Sequence, residues 1–411
     1  MKSIQGQAVL GRLKQYGNII ASTATWPALI VWWGWYAVIF LRDMASRAGH
    51  YSPAGMRVQD LPCASPLCDF SVFWQAGVMA AHGRAAATYD PVMFLALRRN
   101  LFSAQADPLL WFYPPPALLA VQPFSWLPFE ISFWVWTLAL LLLAAGMLRI
   151  AGLNRWVILL GLLSPGALWS LELGQFGVLC GAALVAGLLA SAVRPGFSGV
   201  VLGGLIIKPQ MVLLAPVALF SARRWRAIAA ACGAGLFLIL ASIVVLGWPV
   251  WQAYLGNGLA ISKLMLDTLP LIPGSAAFGL SVFNMALSLQ LGLHASEALQ
   301  GAVSVAAVLL TWQAWRSGMR TQEKVALCAF LSLLATPYGG VDYMVGYSIA
   351  LAMLAHMRGW HIDFLDVIFW LWPALCPVVY SATGVLITPV VVALAVWRTW
   401  QRAPRGAVEA P

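Results

Sequence analysis

The chain has 411 residues, 61% of them hydrophobic and only 9% charged, with a formal net charge of +10. That balance excludes an ordinary soluble domain, in which about a quarter of residues are charged. It also disfavours a β-barrel, whose strands alternate apolar and polar residues, and a nucleic-acid partner, because the basic residues are scattered one to three at a time between apolar runs, as topology signals are.

Those runs approach the roughly 20 residues that cross a hydrocarbon core about 30 Å thick. The first, from about Ser22 to Leu41, follows MKSIQGQAVLGRLKQYGN without a small-residue cleavage site and is expected to be an uncleaved spanning helix. Lys2, Arg12 and Lys14 place the N-terminus in the cytoplasm, which delivers residues 42–112 to the outside as a long first loop. Cys63 and Cys68 in that loop have the spacing of a small disulfide if it faces an oxidising compartment. Cys180, Cys232, Cys328 and Cys376 lie in apolar runs and are expected to pack. No second Cys or His pair completes a zinc site, and a carboxylate without an adjacent acid is a poor divalent-cation site, so no metal is expected.

Within the loop, DFSVFWQAGVMAAHG and PVMFLALRRNLFSA each read as a short helix with one apolar face, suited to the membrane interface, with TYDP as a turn between them. Arg98 and Arg99 are expected on a solvated or headgroup-facing surface. WFYPPPALLAVQPFSWLP is too rich in proline for a plain spanning helix and reads as a broken or re-entrant element. Beyond it, connectors bearing Arg149, Arg155, Arg194, Arg223, Arg224, Arg226, Arg316, Arg320, Arg358 and Arg398 alternate with turns containing LELGQF, IKPQ, residues 248–296 as a second longer outer loop, TPYGGVDY and SATGV. The expected fold is all-α and integral to the membrane, a single polytopic domain over residues 1–411 with about 12 membrane segments and both termini cytoplasmic. FSGVVLGGLII and MVLLAPVALF are short for spans and are expected either to tilt or to form a re-entrant pair. Asp69, Tyr89, Asp90, Gln175, Lys208, Asn284 and Asp342 all fall at the outer face in this topology.

In order along the chain, DFSVFWQAG, TYDP, FYPPPALL, LGQFGVLCGAALVAGLL, IKPQMVLLAPVALFSARRW and TPYGGVDYMV resemble the motifs of family-87 glycosyltransferases, the polyprenyl-phosphate-mannose-dependent group, from about Asp69 to Tyr347. The resemblance implies a GT-C-type multispanning enzyme of the bacterial plasma (inner) membrane, with its active site on the outer face. It would move a hexose such as mannose from a polyprenyl-phosphate carrier to a hydroxyl of a glycolipid or glycan, and the position matching the family's carboxylate is Asp69. Where many relatives carry a histidine-containing segment, this chain reads TPYGGVDYM, which replaces an imidazole by the carboxylate of Asp342.

By its own chemistry Asp69 is either the N-cap of the helix that follows or a general base for an acceptor hydroxyl. Lys208, an ammonium in an apolar neighbourhood, needs an anion or an interface, and the donor phosphate is the candidate partner, with Arg84 beside it. Asp342, Tyr343, Gln175, Asn284 and Tyr113 are the candidate sugar and acceptor contacts, against the plainer reading of polar helix ends and a tight glycine turn. Tyr89 and Asp90 read as turn-forming. No HExxH, Walker A, GxSxG or dinucleotide motif appears, so no cofactor is implied. A lipid-linked sugar flippase is the alternative, but it should show paired halves with a site near the bilayer midplane, and the polar residues here gather at one face.

Overall fold

The computed structural model describes residues 68–102, 109–268 and 276–403. The expected first spanning helix, Cys63, the Cys68 side chain and the residues after 403 lie outside the described residues. Among the described residues all regular structure is helical, and one isolated antiparallel bridge joins Gly279 to Gly340.

Two short helices come first, α1 (Cys68–Ala81) and α2 (Pro91–Leu101), separated by a 3-10 turn at Ala85–Tyr89. TYDP forms the expected turn: the Asp90 carboxylate accepts from the backbone N–H groups of Val92 (2.9 Å) and Met93 (3.1 Å), which caps α2. α2 is one-sided as expected, with Val92 and Met93 exposed and Phe94 buried. α1 is not. From Phe70 to Ala80 it is enclosed on nearly every side by the 3-10 turn at Ala85–Tyr89, by α3 (Pro115–Val121) with a 3-10 turn at Gln122–Trp126, and by α4 (Phe129–Ile150). Its Phe70 meets Phe133 edge-on with ring centroids 5.3 Å apart, and its Phe73 meets Phe176 at 5.0 Å. The prolines of residues 113–127 hold α3 to seven residues, so no plain spanning helix forms there.

The chain continues through α5 (Arg155–Leu162) and α6 (Pro165–Leu173), bent 53° from each other, then α7 (Gly177–Ala190) and α8 (Pro195–Gly204). Two 3-10 turns at Leu205–Ile207 and Pro209–Val212 flank Lys208 and lead to α9 (Ala215–Ser221) and α10 (Trp225–Leu246). Next come α11 (Trp248–Ala253), a π-helical turn at Tyr254–Gly258, α12 (Leu259–Thr268), α13 (Val282–Ser288) and α14 (Leu293–Arg316). α15 (Thr321–Ala335), α16 (Val345–Met357), α17 (Phe364–Thr383) and α18 (Thr388–Arg402) complete the described fold.

Four of these helices, α4, α10, α14 and α17, are long and apolar enough to cross a membrane, and the bent α5–α6 pair makes a fifth if it counts as one span. By this criterion the described residues do not reach the expected dozen, because the other apolar helices stop short of a bilayer's thickness. Burial separates the two groups. Only 11% to 33% of each long helix's apolar window is buried, so these helices turn apolar side chains outward, as lipid requires. α7, α15 and α16 are buried almost all round and pack on one another as the core.

Small residues set the extensive crossing of α8 on α10. A Cβ at Gly199 would sit 2.6 Å from the carbonyl oxygen of Ala227, and one at Gly203 would run into that of Ala231. Gly199 and Gly203 are one helical turn apart, so together they let the two backbones touch. Gly203→Val is therefore expected to cost about 1 to 3 kcal/mol by overpacking. Gly146→Ala, in a helix position with open space around it, should be neutral or gain up to about 1 kcal/mol. Thermal unfolding of both variants in one detergent checks the contrast; equal effects would remove the crossing as the cause.

Candidate functional site

The site begins with a turn. α6 ends at Gly174, whose φ of 71° is left-handed backbone that a side chain would strain and that would drive a Cβ into Phe70. The turn aims Gln175 inward and clamps it: its backbone N–H donates to the Ser170 carbonyl (2.8 Å), and its own carbonyl accepts from the Ser170 hydroxyl (3.2 Å). The Trp136 indole N–H fixes the same turn from α4 by donating to the Gly174 carbonyl at 2.8 Å.

From there the Gln175 side chain joins two charges. Its Nε2 donates to Asp69 Oδ2 at 2.7 Å, and its Oε1 accepts from Lys208 Nζ at 2.9 Å. Only this orientation of the amide works, since a carboxylate offers acceptors and an ammonium offers donors. The Tyr113 hydroxyl lies against the same amide, 3.1 Å from Nε2 and 3.2 Å from Oε1. The Tyr113 backbone is held in turn by the Tyr89 hydroxyl, which donates to its carbonyl at 2.6 Å, and the Tyr89 ring packs on Tyr254 of the π-helical turn.

Lys208 is 1% exposed. Besides Gln175 it faces Asp342 Oδ2 at 3.5 Å, and its ammonium lies 4.2 Å from the centroid of the Tyr343 ring. The Tyr343 hydroxyl accepts from Gln210 Nε2 at 3.1 Å. Asp342 approaches closely because Gly177 has no side chain: a Cβ there would collide with the Asp342 carbonyl.

The sequence thus singled out six residues that the fold brings together: Asp69, Tyr113, Gln175, Lys208, Asp342 and Tyr343. The other two make none of these contacts. Arg84 is exposed beyond the far end of α1, about 20 Å along the helix axis from Asp69 at 1.5 Å per residue. Asn284 sits on α13 against Gly279, its backbone N–H on the Ser281 hydroxyl. Lys208 also differs from expectation in having a protein anion, Asp342, as its partner. Asp69 is inside the first turn of α1, not at a cap preceding Phe70. Arg98, expected at the headgroups, is buried, donating to the Ser71 hydroxyl at 3.0 Å with Phe102 beside it. Its position one turn from Phe94 placed it on the apolar face, which was the available signal. Gln210 was legible only as the polar end of IKPQ.

Of the two carboxylates, Asp342 is sealed, whereas Asp69 remains partly exposed. Asp69 lies outside the helices able to cross a membrane. Burial pushes its carboxyl up to about 6, with the Asp342 charge adding to the rise, while the Gln175 hydrogen bond and the Lys208 and Arg98 cations oppose it. Among the described residues no three His, Cys, Asp or Glu side chains gather in a metal-binding group.

The sequence model of glycosyltransferase family 87 matches residues 111–337, more than half of the chain. Tyr113, Gln175, Lys208 and Asn284 fall inside the matched segment; Asp69, Asp342 and Tyr343 flank it. No curated protein and no solved structure matches.

Because Lys208 and Asp342 are buried against each other, removing one strands the other. Lys208→Met is expected to destabilise the protein by about 3 to 5 kcal/mol, and adding Asp342→Asn should recover part of that loss. Thermal unfolding of the two single variants and the double variant forms the test, and a strictly additive result would mean the pair is not coupled.

Proposed function

The chain belongs to glycosyltransferase family 87, and from that premise we propose that it moves a hexose from a polyprenyl-phosphate carrier to a hydroxyl of a glycolipid or glycan acceptor at the outer face of the membrane, with Asp69 as general base. The observation that carries this reading is the unequal treatment of the two carboxylates. Asp342 is committed to Lys208, while Asp69 is oriented by Gln175 and still reachable. A carboxyl pushed up to about 6 suits the task, because it is mostly ionised at neutral pH yet takes a proton more readily than an ordinary carboxylate.

In the proposed step the acceptor oxygen attacks the anomeric carbon as its proton passes to Asp69. The bond from that carbon to the phosphate oxygen breaks, and the electron pair leaves with the phosphate. Lys208 and Arg98, whose charges are felt at Asp69, oppose the negative charge gathering on the leaving group. Tyr113, Tyr343 and Asp342 are buried behind Asp69 and hold Gln175 and Lys208 in place. Arg84, at the far end of α1, is too distant to hold the phosphate of a donor that Asp69 serves.

Asp69→Asn keeps the shape of the side chain and removes its basicity. It should lower transfer by about 10²-fold or more with thermal stability retained, measured by mass spectrometry of products from purified protein, a panel of polyprenyl-phosphate sugars and a membrane-lipid extract. Near wild-type turnover would exclude Asp69 as the base, and carrier movement across the bilayer without any product would favour a flippase.

The pH profile is a separate test. The base works deprotonated, so kcat/KM should rise with pH through about 6 and level off above it. A flat profile from about pH 5 to 8 would remove Asp69 from the rate equation.

A further inference from the structure

A second charged group, unused by the proposed transfer, occupies the other end of the core helices. Asp342 and Tyr343 precede α16, and Arg358 follows it, so about 20 Å of helix separates the two groups. At the Arg358 end, the first turns of α15 and α17 and the last turns of α16 and α18 converge on a small open cavity of about 70 Å³, lined by Arg320, Glu323, Arg358, Asp366, Arg398 and Arg402 among others.

The carboxylates here are already engaged. Glu323 Oε1 accepts from Arg320 Nη2 at 2.6 Å, and its Oε2 accepts from the Arg320 backbone N–H at 3.0 Å. Asp363 Oδ1 takes the Asp366 N–H at 3.1 Å, and its Oδ2 takes Nη2 of both Arg398 and Arg402. Asp366 Oδ2 takes the Asp363 N–H at 3.1 Å and Arg358 Nη2 at 3.0 Å; its Oδ1 faces Arg402 Nη1 at 3.7 Å.

The donors are not used up. Each guanidinium carries five N–H groups, and the buried Nε atoms of Arg358 and Arg398 find no acceptor among the described residues. Four guanidiniums against Glu323, Asp363 and Asp366 leave one positive charge in excess. The cluster therefore suits a ligand that is anionic and offers several acceptor oxygens, which is the chemistry of phosphate. Beside it on the lipid-facing surface stand Phe364, Leu365 and Trp397, all exposed; a tryptophan there is typical of a membrane interface, and apolar side chains of this kind accommodate acyl chains.

We propose that this cavity binds the phosphate of an anionic lipid headgroup through the guanidinium groups of Arg320, Arg358, Arg398 and Arg402. Arg320 and Arg402 have side chains 48% and 41% exposed, so they are the members a headgroup meets first. Changing them leaves Asp363 and Asp366 paired with Arg398 and Arg358.

The test is native mass spectrometry of the detergent-solubilised full chain titrated with phosphatidylglycerol, phosphatidylcholine or inorganic phosphate. The wild type should retain phosphatidylglycerol in preference to phosphatidylcholine. The Arg320→Gln/Arg402→Gln double variant should bind it at least about tenfold more weakly, since charge-assisted contacts are lost, while an Arg149→Gln/Arg155→Gln control at another connector should bind it as the wild type does. A phosphatidylglycerol-induced rise in melting temperature, present in the wild type and lost in the variant, reads the same contact without mass spectrometry; Arg402→Gln alone serves if the double variant does not fold. Competition by inorganic phosphate at equal concentration would keep the phosphate chemistry and assign it to a soluble anion, overturning the lipid source. Equal phosphatidylglycerol binding by wild type and double variant would overturn the site.

Discussion

One buried ammonium organises the transfer site. Lys208 has almost no access to water, and an unpaired charge in such surroundings is costly enough that the fold must provide for it. It does so with a carbonyl from Gln175, a carboxylate from Asp342 and the face of Tyr343, delivered by two separate stretches of chain. The choice then propagates. With its carbonyl committed to Lys208, Gln175 has only its amide nitrogen to present to Asp69, so the posture of the partly exposed carboxylate is set by a cation it does not touch. The left-handed residue at Gly174 and the bare backbone at Gly177 are the local conditions for this arrangement, one turning Gln175 inward and the other admitting Asp342.

The rest of the protein separates two kinds of surface. α7, α15 and α16 are apolar on all sides because protein surrounds them, and α4, α10, α14 and α17 are apolar on the outside because nothing polar does. Charged groups mark both ends of the core helices. One end carries the Asp69–Gln175–Lys208–Asp342 relay and the other the arginine cluster around Asp363 and Asp366.

Much of this was legible. Charges are tolerated in an apolar chain only when paired or functional, and Lys208 came forward on that ground; Asp69 came forward with the family's motifs, and Asp90 was readable as part of a turn from TYDP alone. What escaped depended on contacts between distant segments. Sequence gives no means of learning that Lys208 meets Asp342, or that α1, with its apolar face, is enclosed on the other faces too. Among the described residues four or five helices meet the length of a span, and an apolar run of fourteen residues, such as Gly177–Ala190, reads alike whether lipid or protein surrounds it. The small-residue pair at Gly199 and Gly203 was in plain view, but its meaning depends on α10 lying against it.

The wide spacing of the site along the chain has a consequence for biogenesis. Asp69 and Gln175 are 106 residues apart, and Gln210 and Tyr343 are 133 apart. Lys208 leaves the ribosome well before Asp342 exists, and at about 5 to 20 residues per second that interval is on the order of 10 s. During it the ammonium lacks the Asp342 carboxylate that lies beside it in the finished fold. That ion pair can close only after Asp342 is made, so the site is completed late, by the C-terminal third of the chain.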